Sequence, residues 1–140
     1  MDISLLKKSN IKLVVSDFDG IFTDGKLTVY SDGTTSKNLD YKDIMAVANL
    51  LKAGIKVAII SGETSKAIEI MHQKFPSIEI FQNIRNKMEV LQALLDKYNL
   101  TQENILYVGD DINDIKCLEF AAIAYTVCNA RSEEHTSELQ

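Results

Sequence analysis

The sequence predicts one three-layer α/β domain, a parallel sheet with helices on both faces. Three observations carry this. Apolar runs at 13–15, 55–60 and 105–108 have the length and continuity of strands buried on both sides. Between them lie segments whose apolar residues recur at helical spacing. Strand and helix alternate about four times through short connections, a pattern that closes as parallel strands with right-handed crossovers. At 140 residues and 46% hydrophobic content, the chain suits a single core.

Residues 1–10 form a lead-in in which Leu5 and Leu6 can pack, and the first strand spans 11–17. Residues 26–30, the turn Ser31-Asp32-Gly33-Thr34 and residues 35–41 read as a β-hairpin, because Asp-Gly between two β-prone segments favours a tight reversal. Such a hairpin stands over the carboxyl end of the first strand. From Asp43 the period changes: Ile44, Val47, Ala48 and Leu51 share a helical face, and Gly54 supplies the stop. The strand at 55–60 runs into Ser61-Gly62-Glu63-Thr64. A second helix presents Ala67, Ile68, Met71 and Phe75 and closes at Pro76. A short strand at 78–81 precedes a helix from Lys87 to Tyr98 that carries Met88, Leu91, Leu94, Leu95 and Tyr98 on one side. The strand at 105–108 ends in Gly109-Asp110-Asp111-Ile112-Asn113-Asp114. A short helix to about Phe120 and a strand near 123–127 complete the pattern.

Composition narrows the function. No apolar run reaches membrane-span length and no signal segment opens the chain, so a soluble, cytoplasmic protein with no membrane partner is expected. A net charge of −5, without basic clusters interleaved with aromatics, argues against nucleic acid. Cys117 and Cys128 have no metal-ligand spacing and read as small buried hydrophobes in a reducing compartment. His72, beside Gln73 and Lys74, reads as a solvated helix face. Residues 131–140 hold one apolar residue and no periodicity, and resemble the in-frame translation of a sequencing adapter. They set one Arg against three Glu and so carry −2 of the net −5. The domain is accordingly expected over 1–130, with 131–140 a non-native tail.

The chemistry begins at Asp17 and Asp19, spaced i, i+2 at the end of the first strand and therefore on the same side of it. Asp-x-Asp-Gly is also good turn chemistry, and read alone the two explanations balance. The remaining strand ends shift that balance. Ser61 ends the second strand; Asp110, Asp111 and Asp114 follow the fourth; Lys87 opens the helix after the third. In a parallel sheet these ends converge on one mouth, where such sheets bind ligands. Two carboxylates about 4 Å apart repel by roughly 4 kcal/mol at an effective dielectric near 20, so the cluster calls for a cation. An all-carboxylate set suits a hard ion such as Mg²⁺. A metal and a lysine beside a carboxylate nucleophile make up a phosphoryl-transfer site.

The four clusters resemble the motifs of the haloacid dehalogenase superfamily of phosphatases: Asp17-Phe18-Asp19-Gly20, then Ser61, then Lys87, then Gly109-Asp110-Asp111-Ile112-Asn113-Asp114. Each is weak alone; four in order at successive strand ends are specific. The resemblance implies a Rossmann-like sheet bearing a β-hairpin flap, with Asp17 as nucleophile and metal ligand. It makes Asp19 the general acid/base, binding metal through its backbone carbonyl, and Asp110 the last protein ligand to Mg²⁺. It gives Ser61 and Lys87 the phosphoryl oxygens, with Asp111 and Asp114 in support.

There is no room for a large cap insertion, and Phe22-Thr23-Asp24-Gly25 with its hairpin resembles the small capless members, the 3-deoxy-D-manno-octulosonate 8-phosphate phosphatase group. That likeness implies a sugar-acid phosphate as substrate and a homotetramer for the full-length form. It also implies roughly another 30 residues, ending in a helix and tail, so the chain is expected to be truncated. Ser61-Gly62-Glu63, with Lys74 eleven residues on, resembles relatives acting on nonulosonate 9-phosphates and implies substrate contacts from Gly62, Glu63 and Lys74. The competing reading of Glu63 and Lys74 is a pair of charges suited to the two ends of a helix. The alternative function is a non-catalytic module attached to a sialate cytidylyltransferase, which would not require all four motifs. A phosphoacceptor receiver domain fits less well, because it lacks the Asp-x-Asp-Gly start.

Overall fold

The computed structural model describes residues 3–126, and the expectations for Val127, Cys128 and the tail at 131–140 lie outside the described residues. After a short helix α1 (Ile3–Lys8), the chain enters β1 (Leu13–Ser16). Next come the hairpin strands β2 (Thr28–Val29) and β3 (Thr35–Ser36), then α2 (Tyr41–Lys52), β4 (Lys56–Ile60), α3 (Lys66–Lys74) and β5 (Glu79–Phe81). The second half contains α4 (Lys87–Tyr98), β6 (Ile105–Val108), α5 (Ile115–Phe120) and β7 (Ile123–Tyr125), with single 3-10 turns before β6 and α5. The main sheet has the order β5-β4-β1-β6-β7. Its four neighbouring pairs are all parallel. Chain order reverses direction at β1, which is central, so the crevice for a ligand falls at the carboxyl ends of β1 and its neighbours.

Side chains alternate across this sheet and divide the interior in two. On one face Val14, Val57, Ile59 and Leu106 pack with Val47 and Leu50 of α2 and with Ile68 and Met71 of α3. On the other, Leu13, Val15, Ala58, Ile60, Ile105 and Tyr107 pack with Leu91, Leu94 and Leu95 of α4 and with Cys117 and Leu118 of α5. This is the expected three-layer arrangement, and burial on both faces explains why the strands are continuous apolar runs.

Local signals set the helix ends. Asp40 caps α2 by accepting from the Lys42 amide, which starts the helix at Tyr41, two residues before the change of period at Asp43. Ser65 caps α3 and Asn86 caps α4, and α4 stops where Asn99 turns left-handed at φ 54°. Leu6 is buried as expected, whereas Leu5 is exposed. The hairpin is short, with two residues in each strand, and reverses through Asp32, whose carboxylate accepts from the Thr34 amide and hydroxyl. Among the described residues no segment forms a separate cap, and no helix is long and apolar enough to cross a membrane.

Candidate active site

Each polar residue at the mouth is placed by the end of a strand or the start of a helix. Asp17 directly follows β1, and its amide donates to the carbonyl of Val108 at the end of β6 (2.9 Å), which ties the two strand ends together. Its Oδ1 accepts from the Phe18 amide at 2.8 Å. Ser61 directly follows β4, its amide donating to Phe81 (2.8 Å) and its hydroxyl accepting from the Glu63 amide (3.2 Å). Lys87 is the first residue of α4 and, with its side chain 2% exposed, reaches inward between Asp17 Oδ1 (3.0 Å) and Asp114 Oδ1 (2.9 Å).

Asp114 is fully enclosed. Its Oδ1 accepts from Lys87 and from the Tyr107 hydroxyl (2.6 Å), and its Oδ2 accepts from the Asp111 amide (3.2 Å). With these contacts its lone pairs are largely committed to protein donors. Asp110 follows Gly109 on the loop after β6 and approaches the turn after β1 closely: a Cβ on Gly20 would lie 2.0 Å from Asp110 Oδ2. Gly20 also has φ +83°, so both the backbone shape and the fit against Asp110 require glycine there.

One carboxylate oxygen from each of Asp17, Asp110 and Asp114 lies within 4.8 Å of the others. At that separation each pair of charges repels by about 3–4 kcal/mol at an effective dielectric near 20. Lys87 compensates one of the three, which leaves a deficit of about two charges that a divalent ion matches. The donor set is all oxygen and fits Mg²⁺; Asp17, through the carboxylate oxygen not engaged by Lys87 and Phe18, and Asp110 are the groups that could hold it. The electrostatics carry the same signature. Burial first, and then the neighbouring Asp114, push the Asp17 carboxyl up to about 6 against the pull of Lys87. Asp110 is also raised, by burial and then by Asp114 and Asp111. Burial alone would depress the Lys87 ammonium, but Asp114 and Asp17 outweigh it and hold Lys87 above the ordinary lysine value, firmly charged.

The mouth opens into a cavity of about 460 Å³ lined by Asp17, Asp19, Ser61, Lys87 and Asp110, with Gly62, Glu63, Asp111 and Asn113 on its rim. Gly25, Leu27 and Lys37 close it from the hairpin side. The Asp19 side chain stands apart from the carboxylate cluster. It accepts from Lys37 Nζ at 2.9 and 3.1 Å and from the Thr23 hydroxyl at 3.2 Å. Lys37 and Tyr107 carry no site signal in the sequence, Tyr107 reading as one more apolar strand position, whereas Thr23 and Asn113 lie within the motif stretches without a role of their own. Lys74 is the exposed last residue of α3 and is not among the residues lining the cavity of this chain, because α3 runs back from the mouth and its nine residues carry Lys74 roughly 13 Å along the helix axis. Glu63 stays at the rim, exposed, with an oxygen 4.0 Å from Lys37 Nζ.

Comparison with known proteins agrees with the fold. The profile of the haloacid dehalogenase-like hydrolases matches residues 30–135. The 3-deoxy-D-manno-octulosonate 8-phosphate phosphatase KdsC of Salmonella typhi is 30% identical over 126 residues, which cover 90% of this chain and 67% of that protein. The phosphatase of the same name from Moraxella catarrhalis, solved with a magnesium ion, a phosphate ion and KDO, superposes with a TM-score of 0.81 at 28% identity, over 91% of this chain and 75% of that one. The cobalt-bound deoxy-D-mannose-octulosonate 8-phosphate phosphatase of Haemophilus influenzae superposes with a TM-score of 0.80 at 26% identity, over 95% and 77% of the two chains. The extent of the profile match and the shared sheet leave one assignment: this chain belongs to the haloacid dehalogenase-like hydrolases.

Proposed function

We propose that the protein is a Mg²⁺-dependent phosphatase that hydrolyses the phosphomonoester of a 3-deoxy-2-ulosonic acid, with 3-deoxy-D-manno-octulosonate 8-phosphate or a nonulosonate 9-phosphate as substrate. The observation that carries the reading is the Lys87 ammonium held between Asp17 and the buried Asp114, with Asp110 within reach of the same oxygens. Asp17 and Asp110 would hold the metal, together with the backbone carbonyl of Asp19. When bound, Mg²⁺ neutralises negative charge on the phosphoryl oxygens and the carboxylates.

The chain's own residues supply the remaining chemistry. Asp17 attacks phosphorus, the ester P–O bond breaks, and the departing sugar oxygen takes a proton from Asp19. Water then attacks the aspartyl-phosphate and returns a proton to Asp19, and inorganic phosphate leaves as the Asp17 carboxylate is restored. Ser61 and Lys87 orient and neutralise the phosphoryl group, Asp114 keeps Lys87 in place, and Asp111 supports Asp114 through its amide. Gly62 and Glu63, at the cavity rim, are the proposed contacts to the sugar acid.

Cys117, a buried free thiol, is in keeping with a cytoplasmic site of action. Leu27, Val29 and Tyr30, exposed on the hairpin, support self-association, with the homotetramer as the proposed assembly of the full-length form. The deciding experiment is hydrolysis of p-nitrophenyl phosphate and of both ulosonate phosphates, with and without Mg²⁺, by the wild type and by Asp17→Asn. Mg²⁺-dependent turnover that the folded variant lacks is expected. Equal activity of the two proteins would remove Asp17 from the chemistry and overturn the mechanism.

A further inference from the structure

We infer that Lys37, carried on the hairpin, is the positioning residue for Asp19 and thereby couples the seating of the flap to proton transfer at the leaving group. This rests on the phosphatase reading above, in which Asp19 is the acid/base. The geometry that points to it is a two-pronged contact: Lys37 Nζ reaches both carboxylate oxygens of Asp19, at 2.9 and 3.1 Å, while the Thr23 hydroxyl donates to Oδ1 at 3.2 Å. Asp19 is thus gripped from two directions, by the loop after β1 and by the flap.

Three features distinguish this contact from an incidental surface pair. The side chains of Lys37 and Asp19 are 17% and 28% exposed, so the pair is shielded beyond the range of a freely solvated bridge. The flap has a firm base just beyond Lys37, where Leu39 packs on the core and the Asp40 amide donates to the Phe22 carbonyl at 3.3 Å. That base fixes where the Lys37 stem begins. By contrast, the hairpin ladder pairs only two residues from each strand, too few to hold the flap down unaided. The Lys37–Asp19 contact therefore joins a weakly paired flap to the residue whose position decides proton delivery. Thr23 reinforces the arrangement by accepting from the amides of Gly20 (3.3 Å) and Gly25 (3.1 Å), which fixes the loop on which Asp19 rides.

The consequence is confined to the step that needs the proton. When Asp17 bonds to phosphorus and the ester P–O bond breaks, the electron pair goes to the leaving oxygen, which then takes the Asp19 proton. A phenolate leaving group depends on that proton strongly, and a p-nitrophenolate hardly at all. kcat/KM reports this first half-reaction, whichever later step limits kcat.

The test compares kcat/KM for phenyl phosphate and p-nitrophenyl phosphate, with Mg²⁺, in the wild type, Lys37→Met, Lys37→Arg, Asp19→Asn and the Lys37→Met/Asp19→Asn double variant. Thermal melts of all five check the fold. Lys37→Met is expected to lower kcat/KM on phenyl phosphate about tenfold or more, the lower end of what general acid catalysis contributes, and on p-nitrophenyl phosphate by less than about threefold. Lys37→Arg, which keeps a charge able to hold both oxygens, should recover part of the loss. In the Asp19→Asn background, Lys37→Met should change neither substrate by more than about twofold. Equal losses on the two substrates, or a full loss that persists without Asp19, would overturn the inference and make Lys37 a direct substrate or folding contact. A wild type with no Mg²⁺-dependent turnover of either ester would instead remove the phosphatase reading itself.

Discussion

Lys87 Nζ and Asp114 Oδ1 lie 2.9 Å apart with both side chains out of solvent, and the same ammonium lies 3.0 Å from Asp17. Asp114 contributes no exposed edge to the cavity: its side chain is 0% exposed and all its contacts are to protein donors. Any part it plays in the proposed chemistry therefore passes through Lys87. Asp114→Asn keeps the volume but leaves Lys87 with Asp17 as its one remaining carboxylate partner, so the ammonium is drawn towards Asp17, the proposed nucleophile. The expected result is a fall in kcat of tenfold or more and a loss of about 3 kcal/mol of stability, the low end for a broken buried pair because Asp17 still compensates Lys87. Urea denaturation with parallel kinetics checks both. Unchanged stability would mean that the pair is not closed in solution.

The raised carboxyl of Asp17 sets a pH dependence whose sign can be worked out. Burial, and next Asp114, lift it from an ordinary 3.8 to about 6. A folded-state value above the unfolded one favours the fold at pH below about 4, and the benefit is lost as pH rises through about 6. The metal-free site thus becomes a growing burden towards neutral pH. With Asp17 as a proposed ligand, Mg²⁺ would require the carboxylate form, so its affinity is expected to weaken as pH falls below about 6, by up to tenfold per unit, and to level off above it. Melting curves in EDTA and in saturating Mg²⁺ are expected to differ clearly at pH 7.5 and much less at pH 5. An equal Mg²⁺ shift at both values would refute the linkage.

The sheet and the acids at its mouth were legible because the sequence repeats its signals. In α4, Leu91, Leu94 and Leu95 recur at the helical period between an Asn cap and a left-handed Asn, and the helix spans the expected 87–98. The start of α2 was less legible, since it is set by the side chain of Asp40 rather than by the apolar period, and Leu50 joins its buried face beside the expected Val47. Lys37 carried no signal: it lies eighteen residues from Asp19, on a hairpin whose other charges face water, and only the return of the flap brings the two together. Lys74 shows the converse: it stands eleven residues from Glu63 in sequence, but most of that spacing is helix running away from the mouth, so the two residues are set apart within this chain.

Gly20 supplies the remaining prediction. Its φ of +83° costs an alanine about 1–2 kcal/mol of backbone strain, and the added Cβ would sit 2.0 Å from Asp110 Oδ2 and 2.8 Å from its Cγ. The carboxylate must move away, and with it one of the two carboxylates proposed to hold Mg²⁺. Gly33→Ala is the matched control, because φ there is +90° but nothing lies within 4 Å of the new methyl group. Both variants should melt a few degrees below the wild type. Gly20→Ala alone should weaken Mg²⁺ binding, by about tenfold or more if the displaced carboxylate is worth at least 1.4 kcal/mol to the ion. Titration calorimetry with Mg²⁺ on the three proteins separates strain from ligand loss. Equal affinities in all three would show that Asp110 finds an alternative path to the metal, or that it is not a ligand.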